Sequence, residues 1–400
     1  MTGPLADLRV VEFCDQLGQL AGKLLADMGA DVVKIEPPPG SESRRVGPFA
    51  RGIVAGESSL NFWYHNTNKR SVALDLDDPQ HREQARRLCL GADIVIEDRP
   101  PGAMAELGLG YHALAAENPR LVMCSITPFG QTGPWANWRV NDLVALALGG
   151  PMMMNGYDEA DAPGAPPIHG NGDQAYNTAS HYALHGIMAA ILYRDRTGKG
   201  QQIDCSMHEA LSCTVEVGMP YWLYQRRDVR RQTGRHAAAV STEPWIYPAG
   251  DGKDVLVFGV GRNNTQWNSL KAWLQAAGFG MHFDEERFSD PLTRQPARGT
   301  PEAKEIMSTL RTFIAESNSD DIYRGAQQRG LPWGVVLTPD EAIQDPHWHD
   351  RGFYVRLPEE SVDRPVRMPG APYIFSATPW QLRRRAPRLG EHTGEILAEL

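Results

Sequence analysis

The sequence predicts an α/β protein in which helices cover both faces of a parallel β-sheet, together with a smaller α+β domain. In residues 1–130, short apolar runs with strand character alternate with helical patterns, and this alternation is typical of parallel sheets. The chain has 400 residues, of which 42% are hydrophobic and 22% are charged. This composition is that of a globular protein, and the length leaves room for more than one domain.

The first elements follow one another at regular spacing. An apolar run at residues 8–13 predicts a strand, and a helical pattern at 17–28 ends before Gly29. Three consecutive prolines stop the next strand, at 31–36. Further elements are predicted at 71–76 (strand), 78–90 (helix with Pro79 at its start), 93–97 (strand) and 121–126 (strand). Ligands of such a sheet bind at the carboxyl ends of its strands.

The pattern changes after the last of these strands. Residues 127–172 are rich in Gly and Pro and predict loops, and a long helical pattern follows at 174–193. The stretch RTGKG at 196–200 resembles part of a phosphate loop, but it follows a helix and precedes a strand. We therefore expect a tight turn with Gly at the helix C-cap. A strand at 201–206 and a helix at 207–224 are predicted next.

Composition divides the chain into three predicted segments. Residues 1–225 form the N-terminal part of a large domain. Residues 226–335 begin with a basic linker that carries five arginines, and continue as a small domain with turn-rich strands and two helical patterns. Residues 336–400 are rich in Pro and Arg, and we expect this segment to return over the first domain and complete it.

Charge and segment lengths exclude several classes of protein. The 40 basic and 49 acidic residues give a net charge of −9, which argues against a nucleic-acid-binding protein. The longest mostly apolar stretch, 143–156, is shorter than the roughly 20 residues of a membrane span. Asp7 and Arg9 lie within the first ten positions, so we expect no signal-peptide core there. The five cysteines form no CxxC pair, so we expect reduced thiols and a cytoplasmic enzyme.

The common motifs of nucleotide, metal and hydrolase sites are missing. The chain contains no GxGxxG, no GxxxxGK[ST] and no GxSxG, so a nucleotide-binding dehydrogenase, a P-loop enzyme and a serine hydrolase are disfavoured. His181 and His185 are four residues apart on the predicted long helix, but no HExxH glutamate accompanies them. We therefore expect no metal site.

Asp173 is the acidic residue that stands out. It lies where a glycine-rich loop enters the long helix, between Gly172 and the helical pattern. An aspartate there can act as an N-cap that accepts hydrogen bonds from backbone N–H groups of the first turn. It can also act as a nucleophile, since Gly170 and Gly172 leave room for a bulky ligand. The pattern alone leaves both roles open, and they are not mutually exclusive.

Several stretches together resemble one family, the class III CoA-transferases of the CaiB/BaiF type. The matching stretches are PLADLRVVEF, LLADMGADVVKIEPPPGSESR, NTNKRSVALDLDDP, ADIVIEDRPPGAMAELGLGY, NPRLVMCSITPFGQTGP, the segment that leads through Asp173 into the long helix, RDRTGKGQQIDCSMHEAL and APRLGEHTGEILAEL. They occur in the family's order and extend over nearly the whole chain.

The resemblance implies a fold and an activity. It implies a Rossmann-like large domain built from both ends of the chain, a small domain, and a homodimer of two interlocked rings. It also implies an acyl-CoA:carboxylate CoA-transferase with acyl-CoA as substrate and no tightly bound cofactor. Asp173 matches the family's nucleophile, which would form a mixed anhydride and then an aspartyl-CoA thioester.

By family position, seven residues are expected to contact CoA: Gln16, Leu17, Leu74, Asp98, Arg99, Trp138 and Arg139. Three positions that are often basic in the family are Pro37, Asp77 and Glu106 here. The candidates to hold the phosphates are therefore Arg44, Arg45, Lys69, Arg99 and Arg139. A glycine run that closes over the active site in some members is absent, and residues 237–244 stand near its place.

Two alternative functions remain open. Racemases of the same family pair an aspartate with a histidine, but the histidine position here is Asn141. Asn cannot shuttle a proton at neutral pH, although His169 could substitute for it in space. The chain could instead be a CoA-binding subunit of a heteromeric transferase, although the presence of Asp173 disfavours this alternative.

Aromatic and methionine side chains bear on the acid substrate. Seven of them fall in segments expected near the active site: Met152, Met153, Met154, Trp135, Trp138, Trp222 and Tyr224. If several line the pocket, a bulky apolar or aromatic acid fits better than a small diacid. The alternative is ordinary packing in the core or at a dimer interface.

Overall fold

The computed structural model describes residues 3–50, 56–215, 217–261, 263–296, 299–357 and 366–400. The chain divides into two compact units. The large unit consists of Met1–Pro151, Gly170–Thr214 and Asp345–Leu400, and the small unit consists of Met152–His169 and Val215–Gln344. The domain boundaries expected after residues 225 and 335 stay a prediction.

The strands follow the predicted order in the first half of the chain. In chain order they are β1 (Arg9–Phe13), β2 (Asp31–Glu36), β3 (Arg70–Ala73), β4 (Ile94–Glu97), β5 (Val122–Thr127), β6 (Gln202–Ser206), β7 (Arg230–Gln232), β8 (Arg235–Ala238), β9 (Ile246–Pro248), β10 (Asp254–Leu256), β11 (Gly334–Val335), β12 (Tyr354–Arg356) and β13 (Arg367–Pro369). The first and last residues of the strands differ from the predicted ones by a few positions, because the ends of secondary-structure elements are less sharply defined than their centres.

The α-helices connect these strands. They are α1 (Gln19–Asp27), α2 (Leu60–His65), α3 (Pro79–Leu90), α4 (Ala103–Glu106), α5 (Tyr111–Ala115), α6 (Asp142–Leu148), α7 (Pro151–Met154), α8 (Gln174–Thr197), α9 (Met207–Ser212), α10 (Gly218–Pro220), α11 (Asn264–Ala276), α12 (Pro301–Ala315), α13 (Ser319–Gln328), α14 (Pro339–Ala342), α15 (Pro346–Asp350) and α16 (Thr393–Ala398). Helices α6 and α7 lie in a region that the sequence predicted as loops.

The first six strands form one parallel sheet in the large unit, in the order β3–β2–β1–β4–β5–β6. Strands β1 to β5 are almost wholly buried, while β6 is an exposed edge. The prediction of an α/β fold with a parallel sheet is therefore confirmed. Because the strands are parallel, the loops that follow them lie at one edge of the sheet.

Local signals explain the ends of two helices that frame this sheet. At α3, the Asp78 carboxylate accepts a hydrogen bond from the Gln80 backbone N–H at 2.7 Å, and Pro79 occupies the first helical position. At α8, Gly198 adopts a left-handed conformation with φ 76° and ends the helix. The RTGKG stretch is thus the predicted turn.

The predicted helix at 207–224 was wrong. It breaks after α9, and the chain continues through α10 into a π-helical turn at Tyr221–Gln225. Pro220 lacks the backbone N–H that a continuous helix requires, and the Thr214 hydroxyl donates to the Leu211 carbonyl at 2.7 Å. The regular backbone hydrogen bonds of an α-helix are therefore interrupted in this segment.

In the small unit, strands β11, β10 and β9 form an antiparallel sheet. Its buried core joins strand residues such as Val255 to Leu270 of α11 and Leu310 of α12. Residues 226–235, predicted as a basic linker, contribute to the β7–β8 hairpin, whose turn has Gly234 at φ 62°. In the part of the chain that the structure describes, no helix combines the length and apolar character needed to cross a membrane.

Candidate active site

The loops after β1 and β4 contact each other at the carboxyl edge of the sheet. The Asp98 carboxylate follows β4 and accepts hydrogen bonds from the backbone N–H groups of Asp15 (2.8 Å) and Gly18 (3.1 Å). Burial raises the pKa of Asp98 to about 7, and the negative charge of Asp15 acts in the same direction. A Cβ at Gly18 would lie 2.4 Å from the Cys14 sulfur, so only glycine fits this turn.

Asp173 lies at the start of α8, but it does not cap this helix. Its backbone is left-handed, with φ 54° and ψ 44°, and its side chain makes no capping hydrogen bond. Left-handed backbone is uncommon for residues other than glycine and is frequent at functional sites. Of the two roles that the sequence left open, the N-cap is therefore not realised in the structure, since the side chain makes no capping hydrogen bond.

Asp142 provides the cap that Asp173 does not. Its Oδ1 accepts a hydrogen bond from the Ala175 backbone N–H at 2.6 Å, although Asp142 belongs to α6. A donor of the first turn of α8 is thereby satisfied by a residue distant in sequence. Asp173 is half-buried, and its carboxylate is not used to cap the helix.

Two side chains hold the Asp173 loop. The Asn177 amide donates to the Gly172 carbonyl at 2.9 Å, while the Asn177 backbone N–H donates to the Asp173 carbonyl at 2.9 Å. From α2, the Asn61 amide donates to Asp173 Oδ2 at 3.2 Å. The loop is thus fixed from α8 and its carboxylate from α2.

Helix α2 is capped at its N-terminus by a serine hydroxyl, and it carries a buried histidine. The Ser59 hydroxyl accepts a hydrogen bond from the Phe62 backbone N–H at 3.0 Å. The ring nitrogen Nδ1 of His65 donates to the Asn61 carbonyl, also at 3.0 Å. Burial lowers the pKa of His65 to about 4, so its ring is neutral near pH 7 and adds no positive charge beside Asn61.

The structure places the predicted CoA contacts in three environments. Gln16 and Leu17 are half-buried in the loop after β1, and the Ser180 hydroxyl of α8 donates to the Leu17 carbonyl at 3.0 Å. Leu74 is only 1% exposed and belongs to the core beneath the sheet. The Leu74 side chain thus faces protein, and its expected contact with CoA stays a prediction.

The other expected contacts are more accessible. Arg99 is half-buried, whereas Arg139 is exposed. Trp138 is exposed and stacks on Trp135 with ring centroids 4.9 Å apart, and Phe129 packs edge-on against both. These exposed rings belong to the loop after β5, so ordinary core packing does not account for them.

Two phosphate candidates are corrected by the structure. The Lys69 ammonium is fully buried and lies 2.8 Å from Glu12 Oε2. Arg44 is 3% exposed and is bound through two hydrogen bonds of 2.7 Å to Glu36. A group already paired in the interior cannot reach a solvated phosphate. Of the five candidates, those that lie at least partly at the surface are Arg45, Arg99 and Arg139.

Asn141 has a structural task. Its side-chain oxygen accepts a hydrogen bond from the Val144 backbone N–H at 3.0 Å and caps α6. Among the residues that the structure describes, no three His, Cys, Asp or Glu side chains come together in a group that could hold a metal ion. Met153, Trp222 and Tyr224 of the small unit are exposed.

Sequence reasoning missed Asn61 and Asp142. A signal existed for Asp142, which follows Asn141 directly at the start of an apolar helical pattern. Asn61 stands between Leu60 and an aromatic run in LNFWYHNTNK, and nothing in this pattern distinguishes it from an asparagine on the surface of a helix. Only their distances to Ala175 and Asp173 identify them as parts of the site.

Comparisons with known proteins agree on one family. The family model described as CoA-transferase family III matches residues 5–393. The succinyl-CoA:(R)-benzylsuccinate CoA-transferase subunit BbsE of Thauera aromatica is 34% identical, over 98% of this chain and 93% of that protein. The succinate–glutarate CoA-transferase of Agrobacterium fabrum is 33% identical, over 99% and 96%. A CAIB/BAIF family protein from Brucella suis has a crystal structure that superimposes with a TM-score of 0.81 at 30% identity and full coverage of both chains.

Proposed function

Because the chain belongs to CoA-transferase family III, we propose that Asp173 is the covalent nucleophile through which it moves CoA. The chain is an acyl-CoA:carboxylate CoA-transferase, as its family and its curated relatives indicate. The observation that carries the role of Asp173 is its half-buried carboxylate on a left-handed backbone, with the capping task taken over by Asp142.

The proposed reaction begins with attack of Asp173 Oδ1 on the thioester carbonyl of the donor acyl-CoA. This step forms a mixed anhydride and releases CoA thiolate, which then attacks the aspartyl carbonyl carbon. The donor acid leaves with the former Oδ1, and an aspartyl-CoA thioester remains. The acceptor carboxylate attacks this thioester and expels CoA thiolate, and a second anhydride forms. The CoA thiolate then attacks the acceptor carbonyl of that anhydride, giving the new acyl-CoA and releasing the Asp173 carboxylate. Covalent catalysis thus divides one difficult exchange into easier steps.

The substrates that we propose are succinyl-CoA as donor and a dicarboxylic acid with an aromatic substituent as acceptor. Both relatives described above carry succinate and a second dicarboxylic acid in their names, benzylsuccinate or glutarate. The exposed rings of Trp135 and Trp138 offer an apolar surface that suits an aromatic group. No tightly bound cofactor takes part in the proposed chemistry.

We further propose a cytoplasmic homodimer of interlocked chains. The five cysteines are free thiols, which suits a reducing compartment. A heteromer is the alternative, because one relative is named as a subunit. A racemase is disfavoured because Asn141, at the position of the racemase histidine, caps α6.

The test is to trap the aspartyl thioester in the purified single chain. With succinyl-CoA and hydroxylamine, we expect conversion of Asp173 to a hydroxamate, detected by mass spectrometry of its peptide, and matching loss of activity. The Asp142 peptide is the internal control, since its carboxylate is engaged by Ala175. Asp173→Ala should abolish transfer without unfolding the chain.

Consumption of succinyl-CoA without modification of Asp173 would remove this residue from its role. Inactivity of the purified chain that is restored by a second, different subunit would replace the homodimer by the heteromer. Rapid uptake of deuterium at the α-carbon of a 2-methylacyl-CoA would instead identify a racemase.

A further inference from the structure

A continuous line of side-chain hydrogen bonds leads from the buried interior to Asp173. Lys69 Nζ donates to Asn66 Oδ1 at 3.0 Å, and Asn66 Nδ2 donates to Gln19 Oε1 at 3.2 Å. Gln19 Nε2 then donates to Asn61 Oδ1 at 3.3 Å, and Asn61 Nδ2 donates to Asp173 Oδ2 at 3.2 Å. We call these five residues the amide chain.

The two ends of the amide chain fix the direction of every bond within it. Burial lowers the pKa of Lys69 to about 8, so at pH 7 and below its side chain is an ammonium that can only donate hydrogen bonds, and the Asp173 carboxylate can only accept them. Each amide between them uses its oxygen as acceptor and its nitrogen as donor. If one amide were reversed, two donors or two acceptors would face each other, so the ends determine that Asn61 presents N–H to Asp173.

Burial makes a reversal costly. Lys69 and Asn66 are 0% exposed and Gln19 is 3% exposed, and a buried polar group without a hydrogen-bond partner destabilises the fold. The Lys69 ammonium is held in addition by Glu12 and by the Gln19 carbonyl, at 2.8 and 2.9 Å. The donor end of the amide chain is therefore anchored in the core of the large unit.

We infer that Asn61 is a further catalytic residue and that Gln19 and Asn66 are positioning residues that act through it. This inference rests on the proposed role of Asp173. In the ground state, Asn61 holds Oδ2 and so orients Oδ1 for attack on the donor thioester. When CoA thiolate attacks the aspartyl carbonyl, the carbonyl electron pair moves to Oδ2. The tetrahedral intermediate then carries its negative charge on the oxygen that Asn61 already contacts.

The rest of the amide chain strengthens the hydrogen bond that Asn61 donates to Asp173 Oδ2. Aligned hydrogen bonds polarise one another, and here they run from a cation towards the oxygen that becomes negative. A donor that is already oriented needs no reorganisation during the reaction. The acceptor carboxylate later expels CoA thiolate from the same aspartyl carbonyl, and the charge on Oδ2 is again stabilised by Asn61.

The experiment measures exchange of isotopically labelled succinate into succinyl-CoA. Asn61→Ala should lower kcat by about 100-fold, as removal of an oxyanion donor does, with KM changed less than threefold. Gln19→Met interrupts the amide chain but leaves the Asn61 donor, so its loss of kcat should be smaller. Gln19→Glu should lose more than Gln19→Met at pH 7, where Lys69 is still an ammonium, because an ionised Glu side chain faces Asn61 Oδ1 with an acceptor and reverses the Asn61 amide.

The pH dependence separates this role from a merely structural one. A protonated Glu side chain donates like the original amide, so the activity of Gln19→Glu relative to wild type should recover as the pH falls from 7 to 5, a range that lies below the pKa of Lys69. Asn118→Asp is the matched control. Its amide donates to the carbonyls of Leu90 and Ala92, at the opposite edge of the sheet, and its relative activity should be independent of pH.

The inference alone would be overturned if kcat of Asn61→Ala stayed within threefold of wild type while Asp173→Ala was inactive. It would equally be overturned if the activity of Gln19→Glu relative to wild type stayed constant with pH. Loss of kcat in Asn118→Asp equal to that in Gln19→Glu would also overturn it, since stability would then explain both. Exchange that persists in Asp173→Ala would instead overturn the proposed function, and the inference with it. Thermal unfolding of each variant establishes that it is folded.

Discussion

At the scale of single residues, two aspartates share the start of α8. Asp142 accepts the hydrogen bond from the Ala175 backbone N–H, and Asp173 remains available although it stands at the capping position. A carboxylate engaged by backbone donors would be a weaker nucleophile, because the donors stabilise the charge that must attack. The separation of these two tasks is what makes the position of Asp173 suited to catalysis.

This division leads to a prediction for Asp142→Ala. Without Asp142, the first turn of α8 has a free N–H donor, and the Asp173 carboxylate can turn back to satisfy it. We expect a loss of about 1–2 kcal/mol in the free energy of unfolding and a fall in kcat of about tenfold, read from urea unfolding and from succinate exchange.

The control for this prediction is Asp78→Ala. Asp78 caps α3 through the Gln80 backbone N–H, so its loss should cost a similar free energy of unfolding while kcat is unchanged. If both variants lower kcat to the same degree, Asp142 acts only through stability, and the division of tasks between the two aspartates is refuted.

At the scale of elements, α1 approaches the sheet closely because of one glycine. A Cβ built on Gly22 would lie 1.7 Å from Glu12 Oε2 and 3.2 Å from Lys69 Nζ. Glu12 also binds Lys34, with its Oε1 3.0 Å from the Lys34 ammonium. The helix therefore lies directly on a buried group of two lysines and one glutamate, and a larger residue would have to displace these charges.

Gly22→Ala should accordingly be severely destabilising. We expect a loss of about 3–5 kcal/mol in the free energy of unfolding, the range observed when a buried ion pair is broken. Gly91→Ala is the matched control, because Gly91 ends α3 and a Cβ there meets its nearest atom only at 3.7 Å. Urea unfolding of both variants measures the difference, and equal effects would show that Gly22 has no special contact.

At the scale of the whole molecule, the C-terminal segment is tied to the N-terminal half of the sheet. Arg44 binds Glu36 of β2 and also donates to the Pro387 carbonyl at 3.1 Å. The Ser71 hydroxyl donates to Glu36 at 2.7 Å and accepts from the Gly390 backbone N–H at 3.0 Å. Glu36 is thus the centre of a network that joins residues more than three hundred positions apart.

This network predicts an acid-sensitive fold. Burial alone would raise the pKa of Glu36, but the hydrogen bonds from Arg44 and the positive charges of Lys34 and Arg44 outweigh it and lower the pKa from 4.5 to about 2. The folded state therefore keeps Glu36 ionised where the unfolded state is protonated. Up to about 3 kcal/mol of stability, present above pH 4.5, is lost as the pH falls towards 2.

We therefore expect the free energy of unfolding of wild type to fall more steeply between pH 5 and pH 3 than that of Glu36→Gln. Urea titrations at several pH values measure this slope. Glu106→Gln, at an exposed carboxylate of the same unit, should keep the wild-type slope. A wild-type slope in Glu36→Gln would exclude Glu36 as the titrating group.

The sequence by itself determined the order of strands β1 to β6, the places of helices α1, α3 and α8 in the large unit, and the position of Asp173 at the start of α8. Strand and helix patterns depend on neighbouring residues, as the Asp78 cap of α3 and the Gly198 end of α8 illustrate. The resemblance in motif order also indicated the family. Local pattern was less reliable after α9, where Pro220 interrupts an apolar run.

Only the tertiary structure decided which polar groups act together. Asn61 lies 112 positions from Asp173, and Asp142 lies 33 positions from Ala175. Lys69 is indistinguishable in sequence from a surface lysine, yet burial against Glu12 removes it from the phosphate candidates and makes it the anchor of the amide chain. The physical reason is that a hydrogen bond or an ion pair depends on distance and burial, and both are set by how the helices pack on the sheet.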